Sequence, residues 1–323
     1  MSESDTPTTG AVEATAAQAA EPTMEVAGRL ADQSGGQPQQ MRRPARGLIG
    51  WMPKEGAQMF LNGNMGGVAA TTEQVSIVEA AQRTVGERTP VAVQSEVVTD
   101  APPELLDHIN QFGADAAAAS MLNEGWQVSM VDLTRVCGFQ PVVFSDSAAD
   151  RARGLDGSDL AGIAKVTLPI GAQAEFTQSF DPGRNSWILS SRNPNLQVLA
   201  NFAGPVATQQ GTVPAFGFLA SVTTSFMQVA EFEGRYFLRD GYHRAMGLLG
   251  ARIHCVPAFV KPVASIEELI PKNINMMLPQ AAYRGPRPPL LPDYLDDLVA
   301  ASAKLPAVQK LIVIHALELS TLG

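Results

Sequence analysis

The spacing of the large hydrophobic residues changes near residue 102. From Pro102 onward such residues recur at helical spacing: Leu105, Leu106, Ile109, Phe112, Met121 and Leu122. Residues 47–99 instead alternate glycine- and methionine-rich pieces with one helix-compatible stretch, residues 72–84, whose apolar stripe is narrow. The pattern places the start of the folded domain near Pro102.

Three later segments are apolar and bounded by turn residues, which is typical of β-strands. They are residues 186–190, 196–202 and 216–222. Residues 145–159 between the helical part and these strands are polar, and they predict a loop or a short exposed helix that could close over a ligand. Trp126 and Trp187 are interpreted as core residues.

A compact alternation of elements follows between Met227 and Val260. Residues 227–232 and 235–239 predict two strands joined by the turn Glu233-Gly234, although this turn requires Glu233 to accept a positive φ. Residues 242–249 predict a helix closed by Gly250. Residues 254–260 predict a third strand, in which Pro257 suggests an edge or strand-end position.

Composition divides the chain further. Residues 1–40 hold few large apolar side chains and predict a disordered tail. We therefore predict a disordered or weakly ordered region at 1–100, a folded domain at 101–265, and a Pro-rich, helical extension at 266–323. The segment Arg284 to Pro289 favours an extended strap over the surface, with partner binding as the alternative.

Charge and cysteine content narrow the function classes. A net charge of -9 disfavours an extensive electrostatic interface with nucleic acid. The basic segment Arg42 to Arg46 is interpreted as a solvated linker. Neither a secretory signal nor an apolar run long enough for a membrane span is visible, which predicts a soluble, cytoplasmic protein. Cys137 and Cys255 are interpreted as buried free thiols, and no metal site is predicted.

The candidate chemistry lies at the start of the predicted helix, in Asp240-Gly241-Tyr242-His243-Arg244. The first N–H groups of a helix have no partner within it and favour an anion such as phosphate. Gly241 would let the anion approach, Arg244 can donate two hydrogen bonds, and His243 can exchange a proton near neutral pH. Asp240 could orient either side chain or cap the helix. A structural interpretation also exists, in which Tyr242 packs beneath the helix and Arg244 pairs with Glu231 or Glu233.

This motif, with Gly250 and the strand around Val256-Pro257, resembles the signature of the ParB/sulfiredoxin-like superfamily over about a tenth of the chain. The resemblance implies an α+β fold with a mixed sheet and helices. It also implies that Gly241, Tyr242, His243 and Arg244 bind a nucleotide phosphate.

Individual branches of the superfamily match less well. Sulfiredoxins have their reactive cysteine where Tyr242 stands, which argues against that activity. Partitioning ParB proteins carry a helix-turn-helix region after the motif, whereas the chain from Lys261 onward is acidic and interrupted by proline. The third branch resembles free-serine kinases, whose motif has histidine where Tyr242 stands. For the catalytic acid of these kinases, the candidates in this chain are Glu231 and Glu233.

The sequence therefore predicts a protein that binds a nucleotide or phosphometabolite, or a phosphotransferase with His243 and Asp240 as catalytic residues. ATP, ADP or CTP, with or without Mg²⁺, is the expected cofactor. One alternative is a non-catalytic scaffold that binds partner proteins through its tail or strap. The other is a DNA-associated ParB-like factor.

Overall fold

The computed structural model describes residues 41–63, 68–91, 94, 96–171, 176–191, 193, 195–271, 276–308 and 310–315. Within these residues the chain is of mixed α+β class, as predicted, with helices and several sheets. The predicted disordered tail at 1–40 lies outside the described residues.

The strands are β1 (Arg42–Gly47), β2 (Val98–Thr99), β3 (Gln127–Asp132), β4 (Val142–Phe144), β5 (Thr177–Asp181), β6 (Ser186–Ser191), β7 (Leu196–Thr208), β8 (Gly211–Val222), β9 (Gln228–Phe232), β10 (Arg235–Asp240), β11 (Cys255–Pro262), β12 (Ala301–Pro306) and β13 (Lys310–His315). The α-helices are α1 (Lys54–Leu61), α2 (Thr72–Glu87), α3 (Leu106–Gly113), α4 (Ala116–Asn123), α5 (Ser145–Ala152), α6 (Leu160–Thr167), α7 (Tyr242–Gly250), α8 (Ile266–Leu269) and α9 (Gln280–Arg284). Short 3₁₀ turns lie at Pro103–Leu105, Leu133–Arg135 and Leu291–Leu295.

A five-stranded mixed sheet, the central sheet, has the strand order β10-β9-β11-β3-β2. The predicted hairpin is confirmed, because β9 and β10 pair antiparallel across Glu233 and Gly234. Both turn residues have positive φ, 51° and 73°, which is the geometry of a two-residue turn that follows the twist of the strands. The Glu233 carboxylate forms an exposed ion pair with Arg284.

Strand β11 lies inside the central sheet rather than at its edge, parallel to β9 and antiparallel to β3. Pro257 is tolerated there because pairing with β9 begins only at Phe259, whose N–H donates to Met227 O at 2.9 Å. Since alternate residues point their N–H groups to the same side, the missing N–H of Pro257 lies before the start of β9. Of the two predicted positions, the sheet edge is therefore wrong for β11, whereas Pro257 does lie before its pairing with β9 begins.

A second, three-stranded sheet has the order β12-β1-β4 and joins distant parts of the chain. The segment predicted to be a solvated linker, Arg42 to Arg46, forms its middle strand, with Ala45 fully buried. The ordered chain thus includes residues well before the boundary predicted near Pro102. All described residues belong to one compact unit that starts at Met41, and neither 101 nor 265 separates two domains.

The main core contains residues of these two sheets and of α7. Its members come from both sheets, from α1 and α2 and from the last part of the chain, and include Ala45, Val143, Leu305, Val131, Val229, Val256, Phe60, Val78, Ala245, Leu248, Tyr283 and Tyr294. The predicted C-terminal extension is therefore part of the core. It supplies β12 and β13 and only two short α-helices among its described residues, so it is less helical than predicted.

The Pro-rich strap packs closely against the body. Pro288 and Pro289 are buried, and the backbone of the strap accepts hydrogen bonds from Trp51 Nε1 and from the N–H of Gly138. These hydrogen bonds join the strap to the segments around Trp51 and Gly138.

Helix α7 lies so close to α5 that there is no space for a side chain at position 247 of α7. A Cβ atom built on Gly247 would lie 2.1 Å from the carbonyl oxygen of Ala148. The polar segment that begins at Ser145 is therefore a helix packed on α7, and not a free loop.

A third sheet, β13-β6-β5, and the two-stranded β7–β8 hairpin lie outside the core clusters. Both hairpin strands continue beyond their predicted ends, and most of their residues are exposed. Trp126 is buried as predicted, but Trp187 on β6 is 50% exposed, because the β13-β6-β5 sheet contributes no residue to the core clusters.

Two further sequence-based interpretations concern thiols and membranes. Cys137 is a buried free thiol as predicted, whereas Cys255 is free but exposed. Among the described residues, no helix is both long enough and apolar enough to cross a lipid bilayer.

The contact between α5 and α7 generates a stability prediction. Gly247→Ala forces these helices apart and should lower the free energy of unfolding by about 2 kcal/mol, the usual cost of overpacking. Gly250→Ala is the matched control, since nothing lies within 4 Å of its added Cβ, and it should stay within about 0.5 kcal/mol of wild type. Urea denaturation of the three proteins measures both effects, and equal stability of the two variants would contradict the contact.

Candidate functional site

The site begins where β10 turns into α7. Gly241 has a φ of 104°, which a residue with a side chain rarely adopts, and it lets the chain turn directly from Asp240 into the helix. No described side chain caps the helix, and its first backbone bond runs from Ala245 N–H to Gly241 O at 2.9 Å. The N–H groups of Tyr242, His243 and Arg244 thus precede the hydrogen-bonded ladder of the helix.

Arg244 is a buried cation in the first turn of α7. Only 8% of the residue is exposed, and its Nη2 donates to the carbonyl oxygen of Ser225 at 2.5 Å. Its Nη1 is also buried but has no hydrogen-bond partner among the described residues. Burial lowers the pKa of Arg244, and the nearby charges of Asp240 and Arg151 respectively raise and lower it.

Asp240 neither caps the helix nor forms an ion pair with Arg244. Its Oδ2 accepts a hydrogen bond from Ser225 Oγ at 2.8 Å, and the cap position belongs to Gly241. Ser225 therefore contacts Asp240 through its hydroxyl and Arg244 through its carbonyl. The predicted pairing of Arg244 with Glu231 or Glu233 is not observed.

His243 lies inside a stack of side chains. Its ring is parallel to that of Phe144, with centroids 6.2 Å apart, and the guanidinium of Arg43 lies over the Phe144 ring, 4.5 Å from its centroid. Its Nε2 accepts a hydrogen bond from Phe144 N–H at 3.2 Å, so the neutral ring carries its proton on Nδ1.

Burial, followed by the charges of Arg43 and Arg151, lowers the pKa of His243 to about 4. The imidazole is therefore neutral at pH 7. This geometry removes the predicted proton exchange near neutral pH, because charging the ring would both desolvate a cation and break the bond from Phe144 N–H.

Tyr242 is a structural residue. The side chain is buried, and its hydroxyl accepts hydrogen bonds from the N–H groups of Phe139, at 2.9 Å, and Gln140, at 3.4 Å. Burial raises the pKa of Tyr242 well above its usual range. The interpretation that Tyr242 packs beneath the helix is correct, and its side chain is not presented to a ligand.

The structure brings together residues that the motif alone did not indicate. Ser225 comes from the loop before β9, Phe144 from the end of β4, and Arg151 from the last turn of α5. Arg151 is exposed and lies close enough to influence the pKa values of both His243 and Arg244. The polar composition of residues 145–159 was the one sequence signal for this contribution.

Two shallow surface depressions lie elsewhere on the protein. One, of about 300 Å³, is lined by residues including Arg42 and Lys304, and the other, of about 450 Å³, by residues including Gln280 and Arg284. Within the described part of the chain, no group of three or more His, Cys, Asp or Glu side chains is arranged to hold a metal ion.

Comparisons with protein families, with curated proteins and with solved structures find no match to this chain.

The lowered pKa of His243 makes stability depend on pH. Since its pKa is about 4 when folded and about 6.5 when unfolded, the unfolded chain binds more protons between these values, and stability falls as the pH drops from 6.5 towards 4. Because of His243, the free energy of unfolding should be about 2 kcal/mol lower at pH 5 than at pH 7.

The matched variant is His243→Gln, whose side-chain oxygen can accept from Phe144 N–H but cannot titrate. Chemical denaturation at pH 7 and pH 5 should show a smaller loss of stability in the variant by about 2 kcal/mol. An identical pH dependence in both proteins would rule out a neutral, largely buried His243.

Tyr242→Phe tests the structural role of the Tyr242 hydroxyl through the free energy of unfolding. The substitution leaves the buried Phe139 N–H without its acceptor and should lower the free energy of unfolding by about 2 kcal/mol. Tyr236→Phe, at a partly exposed position, should cost less than about 1 kcal/mol. A Tyr242→Phe protein as stable as wild type would contradict the structural role.

Proposed function

We propose that this protein binds a phosphate-bearing ligand, a nucleotide or a phosphometabolite, at the start of α7. In this proposal the N–H groups after Gly241 and the guanidinium of Arg244 hold the phosphate, as the resemblance to the ParB/sulfiredoxin-like superfamily implies. The order of elements supports the proposal, because a hairpin leads through Gly241 into α7 and β11 then returns parallel to β9.

The observation that carries the proposal is the unpartnered Nη1 of Arg244. A buried donor without an acceptor costs about 1 to 3 kcal/mol, and more when it is charged. Native proteins therefore rarely leave such a group unsatisfied unless a ligand, ion or water completes it. An anionic oxygen beside Nη1 would supply both the missing acceptor and the missing negative charge.

The surrounding charges favour an anion as well. Arg151 is exposed, and its charge acts on Arg244. The ion pair of Arg43 and Asp146 also acts on His243, so three guanidinium groups and two carboxylates, those of Asp240 and Asp146, surround the helix start. The positive end of the helix dipole adds to this excess. A phosphate would lower the repulsion between Arg151 and Arg244.

Binding is better supported than phosphoryl transfer. A neutral His243 whose Nε2 is occupied has no lone pair ready to accept a proton from a substrate. Asp240 is the remaining candidate base, with Oδ2 held by Ser225 Oγ. Mg²⁺, where needed, would arrive with the nucleotide phosphates and keep most of its water ligands.

Thermal shift and calorimetry with pyrophosphate, ATP, ADP and CTP test this proposal, with sulfate at matched ionic strength as the reference. A phosphate ligand should raise the melting temperature in proportion to the logarithm of its concentration above Kd. Arg151→Ala removes an exposed cation without disturbing the core and should weaken binding about tenfold. Arg244→Lys keeps the charge but loses the forked donor, and it should weaken binding at least as much.

Arg153→Ala is the matched control for Arg151→Ala. Arg153 is also exposed and near the end of α5, but it pairs with Asp150 and does not influence the pKa of Arg244. The proposal fails if no phosphate compound stabilises the protein, or if the Arg151 and Arg153 variants bind equally well. Binding of duplex DNA at low salt, without binding of small phosphates, would favour the DNA-associated function instead.

A further inference from the structure

The β7–β8 hairpin, residues 196–222, is here called the arm. No residue from Asn193 to Ala230 carries a charge, so the whole arm is uncharged in a chain whose net charge is -9. None of the arm belongs to a core cluster, and burial is complete only at its base, at Leu196 and Val222.

Both faces of the arm are apolar. Cross-strand partners share a face, so the pairs Phe202–Gly217 and Val206–Val213 lie on one side, together with Leu219. Phe216 and Phe218 lie on the other side, with their rings 5.0 Å apart. These side chains are between 38% and 62% exposed.

An arm of this kind needs a partner to be stable. A sheet with one solvated face normally alternates apolar and polar residues, which this hairpin does not do. An isolated two-stranded ribbon is marginally stable in water, and its outer edges present unpaired N–H and C=O groups. Large exposed apolar patches of this kind mark interaction sites.

The chain also carries an apolar surface that could receive such an arm. In the β13-β6-β5 sheet, Phe180 and Trp187 pack together with ring centroids 5.2 Å apart and remain 45% and 50% exposed. Ile314 pairs with Trp187 in register and is also exposed. One copy of the chain therefore provides both a projecting apolar ribbon and an uncovered apolar sheet.

The surface area of the arm and the net charge of the chain both favour a second copy of the chain as the partner of the arm. A ribbon whose two strands have 13 and 12 residues is about 40 Å long and about 10 Å wide, so its two faces offer roughly 800 Å². About 800 Å² per partner is what a stable protein interface buries. Since two copies with the same net charge repel, they meet at lowest electrostatic cost through the uncharged arm.

We propose that the arm is a self-association element, in which the arm of one copy packs against the arm and the Phe180–Trp187 face of a second copy. A two-fold arrangement buries both surfaces in each copy and leaves neither exposed. This inference is independent of phosphate binding, because it uses no residue of the α7 site.

Sedimentation velocity and light scattering of the full chain over a wide concentration range test the proposal. The wild-type protein should form a dimer, with twice the 34.2 kDa mass of one chain. Phe216→Lys and Leu219→Lys place a charge on opposite faces of the arm, and each should weaken association at least tenfold. Leu298→Lys is the matched control, since Leu298 is 68% exposed and lies outside the arm, and it should associate like wild type.

A second variant removes the arm itself. Replacing residues 198–220 with Asn-Gly joins the paired residues Gln197 and Ser221 through a favoured two-residue turn. This variant should be monomeric and retain the circular dichroism and cooperative unfolding of the body, because the core clusters lie elsewhere. A monomeric wild-type protein would overturn the proposal, as would association that survives both lysine variants and the arm deletion.

Vesicles of neutral phosphatidylcholine separate self-association from lipid binding. Full-length wild-type protein should remain in the supernatant when the vesicles are pelleted. A wild-type protein that is monomeric and pellets with the vesicles would show that the arm binds lipid, and the proposal would be wrong.

Discussion

The close contact between α5 and α7 determines where the candidate site can be. Because Gly247 has no side chain, the backbone of Ala148 reaches the surface of α7, and the two helices lie nearly in backbone contact. This packing brings Arg151 of α5 towards Arg244, while the preceding strand places Phe144 against His243. A larger residue at 247 would separate the elements that together surround the helix start.

The same packing decides which chemistry the site can support. Removal of water lowers the basicity of His243 and commits the Tyr242 hydroxyl to the backbone of Phe139. Arg244 responds differently, since the pKa of a guanidinium is so high that burial leaves it charged. Burial therefore leaves a positive charge on Arg244 at the helix start, whereas it keeps His243 uncharged at pH 7.

The arm and the helix start are neighbours along the chain although they differ in character. Residues 223–227 connect the end of β8 to β9, and within them Ser225 contacts both Asp240 and Arg244. Phe226 and Met227 of the same segment are buried, which anchors the base of the arm to the body. The charged side chains of Asp240 and Arg244 thus lie at the α7 site, whereas the arm presents exposed apolar side chains.

Local patterns predicted the elements around the motif, because each depends on residues that are close in sequence. The hairpin at Glu233-Gly234, the helix after Gly241 and the strand that follows all require only turn chemistry and short-range periodicity. The predicted strands at 196–202 and 216–222 were correct for the same reason, although their ends were not. The ParB/sulfiredoxin-like resemblance rests on this local order alone and stays a prediction.

Only the tertiary structure decided what surrounds these elements. Arg42 to Arg46 looked like a polar linker, because a strand whose neighbours β4 and β12 lie far away in the chain shows no local signal of burial. His243 looked like a titrating group, because the burial that lowers its pKa and the bond from Phe144 come from a segment about a hundred residues earlier. The sequence by itself determined the motif and the helix start after Gly241. Burial, which depends on contacts between distant segments, decided that His243 is neutral at pH 7 while Arg244 keeps its charge.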